Sequence, residues 1–322
     1  MEVSAFSGRP EPLSASGRHS SFSAMPRPHP KVTKAVEYRQ TALIREMTDT
    51  EFRRLGDFIH QRCGIKMPAS KKMMLQTRLQ KRLRMRNFTT FTQYADYVFS
   101  GAADHEELFC MIDAVTTNKT DFFREPRHFD YMRAYVLSGR NGGAPGGFSR
   151  PMKFWSAGCS TGEEPYTLAM ILAEHALASR SFDYAILGTD ISTRVLNKAV
   201  KGIYAEDRVA PVPFDLKKKY LLKNRKSNLV RIVPELRARV TFQRLNFMDE
   251  NFPLGELFDV VFCRNVIIYF DRPTQEEIVG RICRYIAPGG YLFMGHSETL
   301  SGMRLPLEAV ASTVYRKGDE GS

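Results

Sequence analysis

One stretch of this chain restricts its fold more than any other. An apolar run, Phe154-Trp155-Ser156-Ala157, passes directly into Gly158-Cys159-Ser160-Thr161-Gly162 and then into a helical segment that opens with Glu163-Glu164. Glycines at a strand-to-helix turn let a ligand approach the backbone closely, and in α/β sheets such a turn is where ligands bind. The spacing here is GxxxG rather than the GxGxxG of dinucleotide binders. No Lys-Ser/Thr follows the second glycine, so it is not a P-loop either. Two acids at the helix start suit the helix dipole but would repel a pyrophosphate. They favour a cationic, phosphate-free ligand, a description that S-adenosylmethionine fits with its sulfonium and ammonium groups.

The surrounding pattern supports an α/β reading. Strand-like runs at Lys153–Ala157, Tyr184–Thr189, Val240–Gln243, Phe258–Cys263 and Tyr291–Met294 alternate with helical runs at Glu164–Ser179, Thr193–Lys201 and Thr274–Ile286. That rhythm implies a mostly parallel sheet covered on both faces. Between Ile203 and Thr241 the rhythm breaks in a basic stretch containing Leu229-Val230-Arg231-Ile232-Val233, which reads as a small inserted β-subdomain at about 204–241. Asp190 closes the second strand, where an acid can accept hydrogen bonds from both hydroxyls of a ribose. A plainer reading also stands: the glycines make an ordinary tight turn and Asp190 caps the next helix.

Ahead of this region lie helical patterns. Thr48 and Glu51 form a capping-box pair, followed by Phe52, Leu55, Phe58 and Ile59 at helical spacing. A second helix is expected from about Ala69 to Arg86 with Leu75, Leu79 and Leu83 four apart, then helices near Phe91–Phe99 and His105–Val115. The expected organisation is a disordered Ser/Pro/Gly/Arg-rich tail (1–40), a helical domain (41–121) and an α/β domain (122–322). Gly139–Gly147 is expected to be a flexible loop.

Composition excludes several classes. Five scattered cysteines without a CxxC pair argue against a zinc cluster or disulfide framework and for a cytoplasmic protein. No apolar run approaches the ~20 residues of a membrane span. There is no GxSxG elbow and no HExxH. The formal charge of +12 favours an acidic partner without identifying it.

Three further strings carry a family resemblance: Thr117-Asn118-Lys119-Thr120-Asp121-Phe122-Phe123-Arg124-Glu125, Phe262-Cys263-Arg264-Asn265-Val266-Ile267-Ile268-Tyr269-Phe270, and Gly295-His296-Ser297-Glu298. Together with Ser160–Tyr166 and in this order, they resemble CheR-type chemotaxis receptor glutamate O-methyltransferases over about residues 45 to 317. The resemblance implies a Rossmann-like class I methyltransferase sheet with an N-terminal all-α domain and a small inserted β-subdomain. It implies S-adenosylmethionine as methyl donor, no metal, and glutamates on the cytoplasmic domains of methyl-accepting chemoreceptors as substrate. Cofactor contacts are then expected at Asn118, Thr120, Arg124, Glu164, Asp190, Asn246, Phe247, Arg264 and Asn265. Arg124 and Tyr269 are expected to orient the reacting groups. The Gly295–Glu298 string is expected to be a structural loop near the site.

The expected second helix carries many cations and no acid. Lys71, Arg78 and Arg82 fall within about 40° of one another at 100° per residue, and are candidates for docking onto acidic receptor helices, or else a solvated face. Some relatives bind a receptor C-terminal peptide at a glycine-rich turn of the inserted subdomain. Here Leu222-Lys223-Asn224-Arg225-Lys226-Ser227-Asn228 lacks glycine, so a peptide-independent enzyme is expected. It is further expected to be a monomer, without nucleic-acid binding or membrane insertion. Two rivals remain at this level: a methyltransferase of nucleic acid, disfavoured because Asn265 is not followed by prolines, and a non-catalytic S-adenosylmethionine-binding module.

Overall fold

A computed structural model of the protein describes residues 44–101, 105–138, 150–179, 181–224 and 226–319. The expected tail and the glycine-rich loop lie outside the described residues.

The N-terminal part is a helical layer: α1 (Asp49–Cys63), α2 (Lys72–Met85), α3 (Phe91–Phe99) and α4 (His105–Val115). The capping box at Thr48 and Glu51 is formed, and Gly64 in the left-handed region (φ 69°) ends α1. A second box, Thr90 with Gln93, starts α3. The expected second helix is shorter than its pattern suggested, because Ala69–Lys71 form a 3-10 turn before α2. Phe52, Leu55, Ile59, Leu75, Leu79, Leu83, Phe91 and Tyr94 make its core. Set against that core is a fully buried acid, Glu107. Its carboxylate accepts from Arg82 Nε (3.0 Å), Arg86 Nε (2.6 Å) and the Tyr94 hydroxyl (2.8 Å).

The linker at 116–121 leads to α5 (Pro126–Tyr131), which continues as a wider π-type turn over Met132–Leu137. The main sheet then follows: β1 (Met152–Ala157), β2 (Tyr184–Asp190), β6 (Val240–Arg244), β7 (Phe258–Cys263), β8 (Ile286–Met294), β9 (Leu307–Ala311) and β10 (Val314–Lys317). Its order is β6-β2-β1-β7-β8-β10-β9. The first five are parallel, and β10 runs antiparallel to both β8 and β9. Alternate residues enter opposite cores, as a strand's two-residue period requires. Phe154, Val260 and Phe262 face one cluster, with Tyr166 and Phe129; Trp155, Val261 and Cys263 face the other, with Ile278 and Ile282. The covering helices include α6 (Glu163–Ala178), α7 (Thr193–Lys201) and α10 (Arg272–Arg284).

The insertion is a three-stranded antiparallel sheet of β3 (Ile203–Ala205), β4 (Leu221–Lys223) and β5 (Leu229–Ile232), with short helices α8 (Phe214–Tyr220) and α9 (Pro234–Arg237). Its expected end at 241 needs correction: Val240 pairs with Ile186 and already belongs to the main sheet. Among the described residues no helix is long and apolar enough to cross a membrane.

The strand order reverses at β1, whose neighbours are β2 and β7. Crevices at the carboxyl ends of strands at such a switch point are the usual ligand sites of this architecture. Here the β1 end carries Gly158 and the β7 end carries Arg264 and Asn265.

Candidate active site

The turn after β1 takes the shape its glycines allow. Gly158 has φ 85° and Gly162 φ 94°. A Cβ on Gly158 would lie 2.4 Å from Val266 Cγ2, so any side chain there is excluded by both backbone and space. Between them Ser160 also adopts positive φ (50°). Its N–H donates to Asp190 Oδ2 and its hydroxyl donates to the Asn118 carbonyl, each at 2.9 Å. Ser160 therefore joins the β1 turn, the β2 end and the linker.

These segments enclose a cleft of about 1000 Å³ counting its open mouth, at the upper end of ordinary ligand sites. Every residue expected to contact a cofactor lines it: Asn118, Thr120, Arg124, Glu164, Asp190, Asn246, Phe247, Arg264 and Asn265. Tyr269 and Lys71 line it as well.

Glu164 and Asp190 supply buried negative charge. Glu164 accepts from the Ser156 hydroxyl and from Arg264 Nε, each at 2.7 Å. Asp190 accepts from the N–H groups of Ser160 and Ser192, each at 2.9 Å. Burial pushes its carboxyl up to about 6 despite those two bonds. Such a carboxylate still has lone pairs for hydroxyl donors. The more exposed cations, Lys71, Lys119 and Arg124, line the same cleft. Buried carboxylates beside the glycine turn fit the cationic groups of a sulfonium- and ammonium-bearing ligand such as S-adenosylmethionine, and the buried cation Arg264 is already paired with Glu164.

Arg264 is the anchor beneath the site. Its guanidinium lies over the rings of Phe129 and Phe262 and donates to the Arg124 carbonyl at 2.7 Å. It also lies 3.3 Å from His128 Nδ1. Burial and this neighbouring cation push His128 down to about 4. The potential ligand atoms of Glu125, His128 and His296 lie close together, but Arg264 already supplies the positive charge there.

The loop after β7 is held by Glu298, a buried acid whose carboxylate accepts four backbone N–H groups. Asn265 and Gly295 donate at 2.7 Å, Val266 and Ile267 at 2.8 Å. Asn265 sits at positive φ (59°) in this grip. The loop then delivers Tyr269, half-buried, whose hydroxyl has no hydrogen-bond partner among the described residues. Burial raises that hydroxyl's pKa, so it stays protonated and able to donate. Arg124 is similarly uncommitted: its guanidinium makes one hydrogen bond among the described residues, to the Lys119 carbonyl at 3.0 Å.

The helical domain forms part of the cleft. Cys63 at the end of α1, Ile65 and Met67 in the α1–α2 connection and Met74 in α2 line it. Asn246 Nδ2 donates to the Arg62 carbonyl (2.9 Å) and Lys66 N–H to the Tyr269 carbonyl (3.1 Å). Asn246 is thus partly engaged in joining the domains. No motif marks these connector residues, so the sequence does not announce them.

Two of the three docking expectations need correction. Arg82 turns inward to Glu107 and is largely covered (side chain 13% exposed). Arg78 Nη1 caps the end of α4 by donating to the carbonyls of Val115 (2.7 Å) and Thr116 (3.0 Å). Both flank the leucine stripe and reach the neighbouring helix, Arg82 largely covered and Arg78 half-buried. Lys71 lies in the 3-10 turn, over the Tyr269 ring at 5.8 Å.

Comparison with known proteins agrees with this geometry. The family described as "CheR methyltransferase, SAM binding domain" matches residues 118–316, and "CheR methyltransferase, all-alpha domain" matches 50–116. The chemotaxis protein methyltransferase of Borreliella burgdorferi is 39% identical over 84% of this chain and 95% of its own length. That of Klebsiella aerogenes is 40% identical over 84% and 90%, and that of Escherichia coli 35% identical over 88% and 98%. With both domains matched in order and relatives aligned nearly end to end, this chain belongs to the CheR methyltransferase family.

Proposed function

We propose that the protein methylates glutamate side chains of chemoreceptor cytoplasmic domains, forming methyl esters, and that Arg124 and Tyr269 orient the incoming carboxylate. The observation that carries this reading is the pairing of an uncommitted guanidinium and an uncommitted phenol in one cleft that also holds the buried carboxylates of Glu164 and Asp190. A glutamate side chain in water titrates near ~4.3, so at neutral pH its carboxylate is already the nucleophile and needs no general base. S-adenosylmethionine supplies an electrophilic methyl on its sulfonium when bound. Arg124 presents parallel N–H donors that suit a carboxylate. Tyr269 donates its hydroxyl proton as a hydrogen bond without giving it up. Glu164 and Asp190 hold the cationic and ribose parts of the cofactor, and Asn118, Thr120, Asn246, Phe247, Arg264 and Asn265 complete its walls. Catalysis then rests on proximity and alignment, which supply roughly 7–11 kcal/mol in well-oriented reactions.

Receptor docking falls to the outward face of α2. Lys81 and Arg84 are exposed there beside Met73 and Met85, a mixed basic and apolar strip suited to an acidic helix. The β4–β5 turn lacks glycine, which supports action without a receptor peptide tether; measurable binding of an isolated receptor C-terminal peptide would overturn that part. The enzyme then works as a cytoplasmic monomer.

The test is transfer of labelled methyl from S-adenosylmethionine to receptor-containing membranes, followed by alkali. Volatile methanol marks a carboxyl ester and supports the reading. Alkali-stable label marks a different acceptor and overturns it.

A further inference from the structure

The inserted subdomain reaches back to the cofactor turn through two side chains. Tyr204 on β3 donates its hydroxyl to the Thr161 carbonyl at 2.8 Å, and its ring meets Phe122 edge-on at 5.0 Å. Arg208, in the 3-10 turn that follows β3, spreads its guanidinium across three groups. Nη1 lies 3.0 Å from Asp121 Oδ1. Nη2 lies 2.9 Å from Glu163 Oε1 and also donates to the Thr120 carbonyl. Glu163 is buried, and its second oxygen takes the Thr161 hydroxyl at 2.6 Å.

A single arginine therefore bridges the linker at 116–121 and the first turn of α6. Both segments contribute to the cofactor cleft: Asn118 and Thr120 on one side, Glu164 on the other. We infer that Arg208 is a positioning residue for cofactor binding, fixing the linker against the glycine turn before the ligand arrives. This inference rests on reading those residues as the cofactor's contacts. The planar fork of arginine is what the geometry needs, because one lysine ammonium cannot span a carbonyl and two carboxylates on separate segments. It also gives the inserted subdomain a task at the cofactor site that is independent of any receptor peptide.

The experiment uses the full chain and S-adenosylhomocysteine as probe. Calorimetric Kd is measured for wild type, Arg208→Ala, Arg208→Lys and Asp121→Asn, with trypsin cleavage after the exposed Lys119 followed in parallel. Arg208→Ala is expected to raise Kd about tenfold, as the loss of charge-assisted bonds implies, and Arg208→Lys to recover little of it. Cleavage after Lys119 is expected to accelerate without a matching fall in Tm, and to slow again at saturating probe. KM for S-adenosylmethionine should rise more than kcat falls. An unchanged Kd in Arg208→Ala, with wild type binding normally, overturns the inference. Loss of affinity only in proportion to loss of Tm overturns it as well. Wild type failing to bind overturns the cofactor reading itself. If Arg208→Ala does not fold, Asp121→Asn decides the matter on the same two readouts.

Discussion

Arg264 Nε stands 2.7 Å from the carboxylate of Glu164, with both side chains buried. The two come from the end of β7 and the first turn of α6, so their pairing fixes the two sides of the cleft relative to each other. Removing one partner of a buried pair leaves the other charge without compensation and costs about 3–5 kcal/mol. Glu164→Gln is therefore expected to lower Tm and weaken S-adenosylhomocysteine binding together, in differential scanning fluorimetry and calorimetry on the same preparation. Full retention of both would sink the assignment.

Asp190 predicts a pH dependence whose sign follows from its raised pKa. Without ligand, the folded state holds this proton more tightly than the unfolded chain does, about 6 against 3.8. Its contribution to stability is full below about 3.8 and is lost as pH rises through about 6. Cofactor affinity runs the other way, because an acceptor of ribose hydroxyls must be ionised. Affinity should be full above about 6 and fall about tenfold per pH unit below it. Calorimetry with S-adenosylhomocysteine across this range should show the slope in wild type and its absence in Asp190→Asn.

Tyr269→Phe removes the free hydroxyl and nothing else from the loop that Glu298 holds. A hydrogen bond to a charged group contributes about 1.5–3 kcal/mol, so kcat should fall about 10- to 100-fold. KM for S-adenosylmethionine should stay within about threefold, since a bond made mainly in the transition state affects kcat. Full turnover in the variant would remove Tyr269 from the mechanism.

Glu107→Ala tests the helical layer. It strands Arg82 and the Tyr94 hydroxyl around an empty buried position and is expected to cost about 3–5 kcal/mol. Hydrogen exchange should show the loss first in α2 and α4. The inward turn of Arg82 also means that charge reversal there tests stability rather than docking.

Docking is better tested at Lys81 and Arg84. The double reversal Lys81→Glu, Arg84→Glu is expected to raise KM for receptor about tenfold and to steepen with falling salt, with S-adenosylhomocysteine affinity unchanged. An unchanged receptor KM would move docking off this face of α2.

Much of this architecture is legible in the sequence because its signals are local. The glycine turn, the apolar runs of β1, β2 and β7, and Asp190 at a strand end each declare themselves within a few residues. Short elements of mixed polarity do not: β3 and β4 of the insertion and the β9–β10 hairpin are too brief to show a period. Long-range partners are also hidden. The cations of α2 could be placed beside the leucine stripe, but the sequence does not say that Glu107, 25 residues on, would claim Arg82. The Gly295–Glu298 string stood out, yet the four N–H groups that its glutamate gathers come from two loops that only the fold brings together.

The seam between the helical and α/β parts has a consequence for how such proteins can be recombined. Gly64 packs so tightly that a Cβ there would lie 2.5 Å from the Phe270 ring, and the neighbouring backbone carries hydrogen bonds from both sides. The two parts are therefore not interchangeable cassettes. A chimera that takes its receptor-facing helices from one relative and its catalytic sheet from another has to inherit residues 62–67 together with the sheet, because in structural terms that connector belongs to the site it covers.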